Sequence, residues 1–233
     1  MGDVNQLLFV KTLAGSLAGP ILEVGSRDYG NTQNFRALFK GVEYLGIDMQ
    51  AGKGVDLVLD LTADFESLES ALEGRRFGTI ICMSVLEHCS NPFKMAQNIE
   101  KLLAEGGLLV VGVPFVWELH GFPDDYWRFT PSGIRVLFRN LDFTDLIASQ
   151  AILEHLIDPF KHLEDCYGLL NPGGHMVFST VIPGFQYHRY PVDCLRFFPD
   201  WFEEVARRLE AQVVLRSMSK TTTLIAYTLR KPD

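Results

Sequence analysis

Two clusters of side chains in this sequence have the types and spacing to do chemistry. In residues 21–48, Glu23 and Asp28 bracket a turn-forming run, Gly-Ser-Arg-Asp-Tyr-Gly from Gly25, and Asp48 ends the next apolar run. Glycine lets a ligand approach the backbone, and a carboxylate at a strand end can accept from both ribose hydroxyls. Phosphate binding requires several glycines opening onto a helix N-terminus, so that the anion meets bare N–H groups. Gly-x-Gly-x-x-Gly is absent here, and the two acids repel a pyrophosphate. A positively charged nucleoside without phosphates suits these residues better. The second cluster is residues 114–129, with Trp117, His120, Asp124, Tyr126 and Trp127. Aromatic side chains of this density can exclude water and orient an acceptor, and a histidine can take its proton near neutral pH. His120 is the first candidate base and His88 the second; each can equally be a hydrogen-bonded structural histidine.

Elements that position these groups follow from the apolar pattern. Runs at 21–24, 44–47, 55–60, 78–83 and 108–113 read as strands, and segments after 35, 65 and 92 read as helices. Alternation of this kind predicts a mostly parallel sheet with the loops at its carboxyl edge. Residues 5–18 are periodic enough for a helix, which Gly19-Pro20 ends; it either closes over the ligand or covers one face of the sheet. Asn91-Pro92 and Gly106-Gly107 punctuate the helix between the fourth and fifth strands. Near the C-terminus, residues 199–209 read as a helix, and 213–216 with 221–229 as a hairpin.

S-adenosylmethionine, a sulfonium with an ammonium group, is the adenosine ligand with the required charge. Glu23-Val24-Gly25 and the acid Asp48 resemble the first two motifs of class I S-adenosylmethionine-dependent methyltransferases, of the type 11-like group. Strand, Leu86-Glu87-His88, helix, Gly106-Gly107 and strand continue the likeness, which covers roughly residues 21–140. Arg27 departs from it, standing where many members carry a second glycine. The resemblance implies a Rossmann-like, doubly wound α/β fold, with a C-terminal antiparallel hairpin finishing the sheet. It implies S-adenosyl-L-methionine held by Glu23, Gly25, Ser26, Arg27, Asp48, Met49, Asp60, Leu61, Met83 and Ser84. Asp60 would reach the adenine amino group, although an exposed acid at a strand end is an equal reading.

An internal repeat complicates the second half. Leu86-Glu87-His88 and Pro92-Phe93-Lys94 recur 67 positions on as Leu153-Glu154-His155 and Pro159-Phe160-Lys161. One residue of slippage later, His120, Asp125 and Arg128 are answered by His188, Asp193 and Arg196. The chain therefore reads as one methyltransferase-like domain over 1–233. Residues 1–140 are its cofactor core; 141–233 repeat the fourth-strand, helix and fifth-strand region and add the hairpin. Features that recur read as structural, which includes the Asp125–Arg128 pair. Features of the first copy alone (Ser84, Trp117, Asp124, Tyr126, Trp127) read as functional. The extra strands, near 145–149 and 176–182, either widen the sheet or replace first-copy strands in a partner chain, so a homodimer is open.

Composition bounds the partners. The chain has 233 residues and a formal charge of −8, without a Lys/Arg-rich run, which disfavours a nucleic-acid backbone. No apolar run is long enough for a membrane span, and no signal-peptide layout opens the chain. Four cysteines without Cys-x-x-Cys spacing read as buried thiols of a reducing, cytoplasmic compartment. No metal-ligand spacing emerges, since His155, His162 and Glu164 read as a helix face. Two functions follow: methyl transfer to a small-molecule acceptor (a sugar, lipid head group or other metabolite), or a non-catalytic scaffold or regulator on the same fold. An NAD-dependent enzyme is disfavoured by the missing glycines.

Overall fold

A computed structural model describes residues 4–30, 32–114, 119–121, 124–143, 147–150, 158–168, 170, 172–173, 175–181, 199–219 and 224–230. Contacts divide the chain into two compact units, Met1–Leu141 and Asp142–Asp233, each with its own sheet.

The first unit begins with helix α1 (Val4–Leu13), and its strands are β1 (Ile21–Val24), β2 (Tyr44–Asp48), β3 (Leu57–Val58), β4 (Phe77–Met83) and β5 (Leu103–Gly112). They form one parallel sheet in the order β3-β2-β1-β4-β5. β1 is buried along its whole length and β4 at all but one position, as expected of central strands covered on both faces. Between them run a 3₁₀ turn (Phe35–Leu38), helix α2 (Phe65–Ala71) and helix α3 (Pro92–Leu102). Asn91 caps α3 by accepting from Lys94 N at 3.1 Å, an arrangement worth about 1 kcal/mol. Met95, Ala96, Ile99 and Leu102 lie on the buried side of α3. The buried amide of Asn98 donates to Leu61 O (2.7 Å) and Ala63 O (2.9 Å), fixing the loop after β3 to α3. Helix α4 (Pro131–Leu137) starts at Thr130, whose hydroxyl accepts from Gly133 N at 3.0 Å.

Two local expectations are corrected. Phe35–Leu38 make a 3₁₀ turn rather than a longer helix, with Phe35 buried. The third strand is two residues long; just before it, Asp56 N donates to Gly46 O at 2.8 Å while its carboxylate accepts from Gly46 N at 2.6 Å and also holds Arg36.

Within the second unit, β6 (Ile147–Gln150), α5 (Pro159–Gly168), β7 (His175–Val181), α6 (Pro199–Arg208), β8 (Gln212–Ser219) and β9 (Leu224–Arg230) follow in order. The sheet order is β6-β7-β9-β8, with β6–β7 parallel and the pairs made by β9 antiparallel. Leu163, Cys166, Tyr167, Met176, Phe202 and Val205 form its core. The antiparallel hairpin exists, but it does not finish the first sheet as expected. β9 pairs instead with the nearer β7, from His175↔Arg230 to Val181↔Leu224. The β4–β5 register pairs Ile80 with Leu109, and the β6–β7 register pairs Ile147 with Met176; each second-unit residue stands 67 positions after its first-unit counterpart. His155, His188, Asp193, Arg196 and Cys194 fall outside the described residues.

Candidate functional site

The parallel order sets the carboxyl ends of β2, β1 and β4 side by side. Gly25, just past β1, has φ 71° and stands against Val85, just past β4: a Cβ at Gly25 would lie 2.4 Å from Val85 Cγ2. Here both the left-handed backbone and the close approach require glycine. Ser26 is buried, donates its N–H to Ile47 O at 3.0 Å and packs against Gly46.

The loop after β1 is tied to the loop after β2. Asp28 N donates to Lys53 O (2.8 Å), Lys53 Nζ reaches Asp28 Oδ2 (2.7 Å), and Arg27 donates to the Gln50 side chain. Arg27 also stacks on Tyr29, 4.9 Å from the ring centroid, and crosses Gly52. Lys53, then the N–H of Gly30 and the Thr32 hydroxyl, hold the Asp28 carboxyl down at about 2. Glu23 is buried and accepts from Tyr44 OH at 2.8 Å; burial pushes its pKa up, against Tyr44 and Arg36, which lower it. The two bracketing acids thus have internal partners. Asp48 stands at the strand end, where one oxygen accepts from Gln50 N at 2.9 Å and the other is available in type to a ribose. Met49 is exposed beside it. Asp60 is used in its own turn, accepting from Thr62 N and Oγ1 at 2.8 Å, while Leu61 is buried.

Beyond β4 the chain changes direction at Ser84, which has φ 53°. Its N–H donates to Gly112 O and its hydroxyl accepts from Gln6 Nε2, both at 2.8 Å. Helix α1 therefore reaches the carboxyl end of β4, a contact with no signal in the sequence beyond α1 itself. Met83 is buried, its sulfur against Gly112.

A 3₁₀ turn, Leu86–His88, then receives residues 124–127. Glu87 O accepts from Tyr126 N (2.7 Å) and Trp127 N (3.3 Å), and Trp127 Nε1 donates to Cys89 O (2.8 Å). His88 Nδ1 lies 2.5 Å from Asp124 O; a carbonyl only accepts, so Nδ1 carries the proton. Tyr126 OH donates to Asp124 Oδ2 at 2.9 Å. Trp117 is outside the described residues.

His120 packs edge-on against His88, with centroids 4.9 Å apart and planes at 86°. Its Nδ1 is 3.0 Å from Asp125 Oδ2, which also accepts His120 N at 2.9 Å. Arg128 grips both oxygens of Asp125 and, with burial opposing, holds its carboxyl well below the usual range. Burial pushes Glu87 up to about 7, Asp125's charge adding to the effect, and burial lowers His88. Sequence spacing marks Asp125 as a structural partner of Arg128; its second role, orienting His120, arises from a loop fold without periodicity. On α5, His162 lies 3.7 Å from Cys166 Sγ and Glu164 pairs with Lys161.

A parallel sheet in this order, with a glycine turn and an acid on adjacent strand ends, defines a Rossmann-like α/β domain, an architecture whose ligands bind at the carboxyl ends of the strands. Residues 7–129, more than half of the chain, match the family model for a methyltransferase domain. The chain belongs to that methyltransferase family. It is 26% identical over 101 residues to the ubiquinone biosynthesis O-methyltransferase of Coxiella burnetii, covering 40% of this chain and 43% of that protein. With the tRNA U34 carboxymethyltransferase of Hahella chejuensis the identity is 30% over 93 residues, 36% of this chain and 29% of that one. The chain thus spans less than half the length of these relatives. Among solved structures it is similar to the N-methyltransferase NodS of Bradyrhizobium japonicum with S-adenosyl-L-homocysteine (12% identity, TM-score 0.28, covering 98% and 86%). It is also similar to the [4+2]-cyclase SpnF (10% identity, TM-score 0.35, covering 96% and 80%). Among the described residues, no helix is long and apolar enough to cross a membrane.

Proposed function

We propose that this protein transfers a methyl group from S-adenosylmethionine to a small-molecule acceptor, a sugar, lipid head group or other metabolite, by in-line displacement. One observation carries the reading. Residues 84–88 touch the glycine turn through Val85 and the histidine-bearing segment through Glu87 and His88, so one short stretch joins both clusters. Gly25 lets the cofactor approach the backbone, and the second oxygen of Asp48 accepts from its ribose. The sulfonium supplies an activated methyl group when bound. The chain's own part is to align the acceptor, exclude water and remove a proton from it. His120, oriented by Asp125, is the proton acceptor, with His88 beside it; Asp124, Tyr126 and Trp127 wall the acceptor. Net charge of −8 favours a small acceptor over a nucleic acid.

We read residues 142–233 as a partial second copy of the first unit's β4–α3–β5 region followed by the hairpin. The common register offset of β4–β5 and β6–β7 supports this. Only the first copy has the glycine turn, so one cofactor binds per chain.

Calorimetric titration with S-adenosylmethionine and S-adenosylhomocysteine tests the function. One site per chain is expected. Folded protein that binds neither is a scaffold rather than an enzyme, a reading that the Arg27 side chain lying across the loop would then explain.

A further inference from the structure

We propose that Glu87, His88 and His120 form a binding site for one divalent transition-metal ion of the zinc class. One potential ligand atom from each of the three lies within 4.8 Å of the others. Bonds of about 2.0–2.2 Å at a tetrahedral zinc set ligand atoms about 3.3–3.6 Å apart, so the widest pair closes by about 1.5 Å at most.

Two further observations point to a cation. Glu87 is 1% exposed, and its Oε2 has no hydrogen-bond partner among the described residues. A buried carboxylate oxygen in that state is costly unless a positive group or a proton completes it. The neighbouring guanidinium, Arg128, is already engaged with both oxygens of Asp125.

The imidazoles are arranged as ligands rather than as cations. His88 Nδ1 donates to the carbonyl of Asp124 at 2.5 Å, which puts the basic lone pair on Nε2, the nitrogen 3.9 Å from Glu87 Oε1. His120 Nδ1 lies 3.0 Å from the Asp125 carboxylate, which orients that ring the same way. A carbonyl or carboxylate on the far nitrogen is the outer support that fixes tautomer and orientation in metal-bound histidines. Two imidazoles and one carboxylate favour zinc and its first-row neighbours over magnesium or calcium, which prefer oxygen alone. Three protein ligands leave a position for an exogenous oxygen. Ion binding does not depend on the methyl-transfer reading. Where that reading also holds, an acceptor hydroxyl at the open position would release its proton to water more readily, and His120 would serve as a ligand instead of taking that proton itself.

The test uses the 233-residue chain stripped with a chelator. Zinc is titrated by calorimetry, and cobalt by its visible absorption in the same site. One ion per chain is expected, with cobalt giving the spectrum of a low-coordinate nitrogen–oxygen site. Glu87→Gln and His120→Gln should each weaken zinc by at least about tenfold, whereas Cys89→Ser and His162→Gln should not. Zinc should raise the unfolding temperature of the parent and fail to do so for Glu87→Gln, whose own unfolding transition shows that it is folded. The proposal is overturned if the parent binds no zinc, if Glu87→Gln and His120→Gln keep its affinity, or if Cys89→Ser abolishes binding.

Discussion

His120 Nδ1 stands 3.0 Å from the carboxylate of Asp125, a group that is 2% exposed at its side chain and also bound by Arg128. The carboxylate thereby fixes both the position and the tautomer of the imidazole. Asp125→Asn keeps the shape and removes the charge. The expected result is a loss of about 100-fold or more in kcat, with the Kd for S-adenosylmethionine changed by less than about twofold. Arg128 loses its partner as well, so the variant should unfold at a lower temperature. The folded-state pKa of Asp125 is depressed, so its stabilisation is complete above the unfolded value, near pH 4, and is lost as pH falls below it. Unfolding curves between pH 2 and pH 6 should therefore show a smaller acid loss in Asp125→Asn than in the parent. Equal acid slopes would show that the pair contributes nothing.

Gly25 combines a φ of 71° with a Cβ position 2.4 Å from Val85 Cγ2. Gly25→Ala incurs both costs, together about 2–4 kcal/mol. Truncating the neighbour in Gly25→Ala/Val85→Ala removes the clash and leaves the backbone strain, so the double variant should recover part of the stability lost to Gly25→Ala. Urea unfolding of the single and double variants measures this. If the losses simply add, the two residues do not meet as described.

How much of this was legible follows from what each feature depends on. β1, β2 and β4 are visible because buried parallel strands are continuous apolar runs, and α3 because its cap, proline and apolar face are local in sequence. The glycine turn and Asp48 are legible for the same reason. The short β3 is not, because the Asp56 carboxylate holds Gly46 N and Arg36, partners that no pattern near residue 56 announces. The placement of the hairpin depends on which of two similar edges a strand joins, and residue types do not settle that. Asp125 reads as structural because it recurs as Asp193, whereas its contact with His120 follows from no local pattern.

Glu23 offers a second pH test, with the opposite sign. Burial raises its folded pKa above the unfolded value of 4.5. Its protonated form is the one the fold prefers, so its contribution is most favourable below the unfolded pKa and declines as pH rises through the folded one. Glu23→Gln retains an oxygen to accept from Tyr44 OH and removes the titration. The variant should gain stability relative to the parent as pH rises from 4 to 8, and match it more closely at pH 4. A constant difference across that range would mean that the carboxyl does not titrate with an elevated pKa.

Asp48 separates cofactor recognition from folding. Its Oδ1 accepts from Gln50 N at 2.9 Å to close the turn after β2, and the amide oxygen of Asp48→Asn can do the same. The substitution should therefore move stability by no more than about 0.5 kcal/mol. Under the proposed function, what it removes is the charge that would face the ribose. Hydrogen bonds to a charged acceptor are worth about 1.5–3 kcal/mol, so the Kd for S-adenosylmethionine and for S-adenosylhomocysteine should rise roughly 10- to 100-fold. The two ligands share the ribose and differ at sulfur, so both should weaken by a similar factor. A loss confined to S-adenosylmethionine would mean that Asp48 acts on the sulfonium charge, and unchanged affinity for both would remove Asp48 from the site.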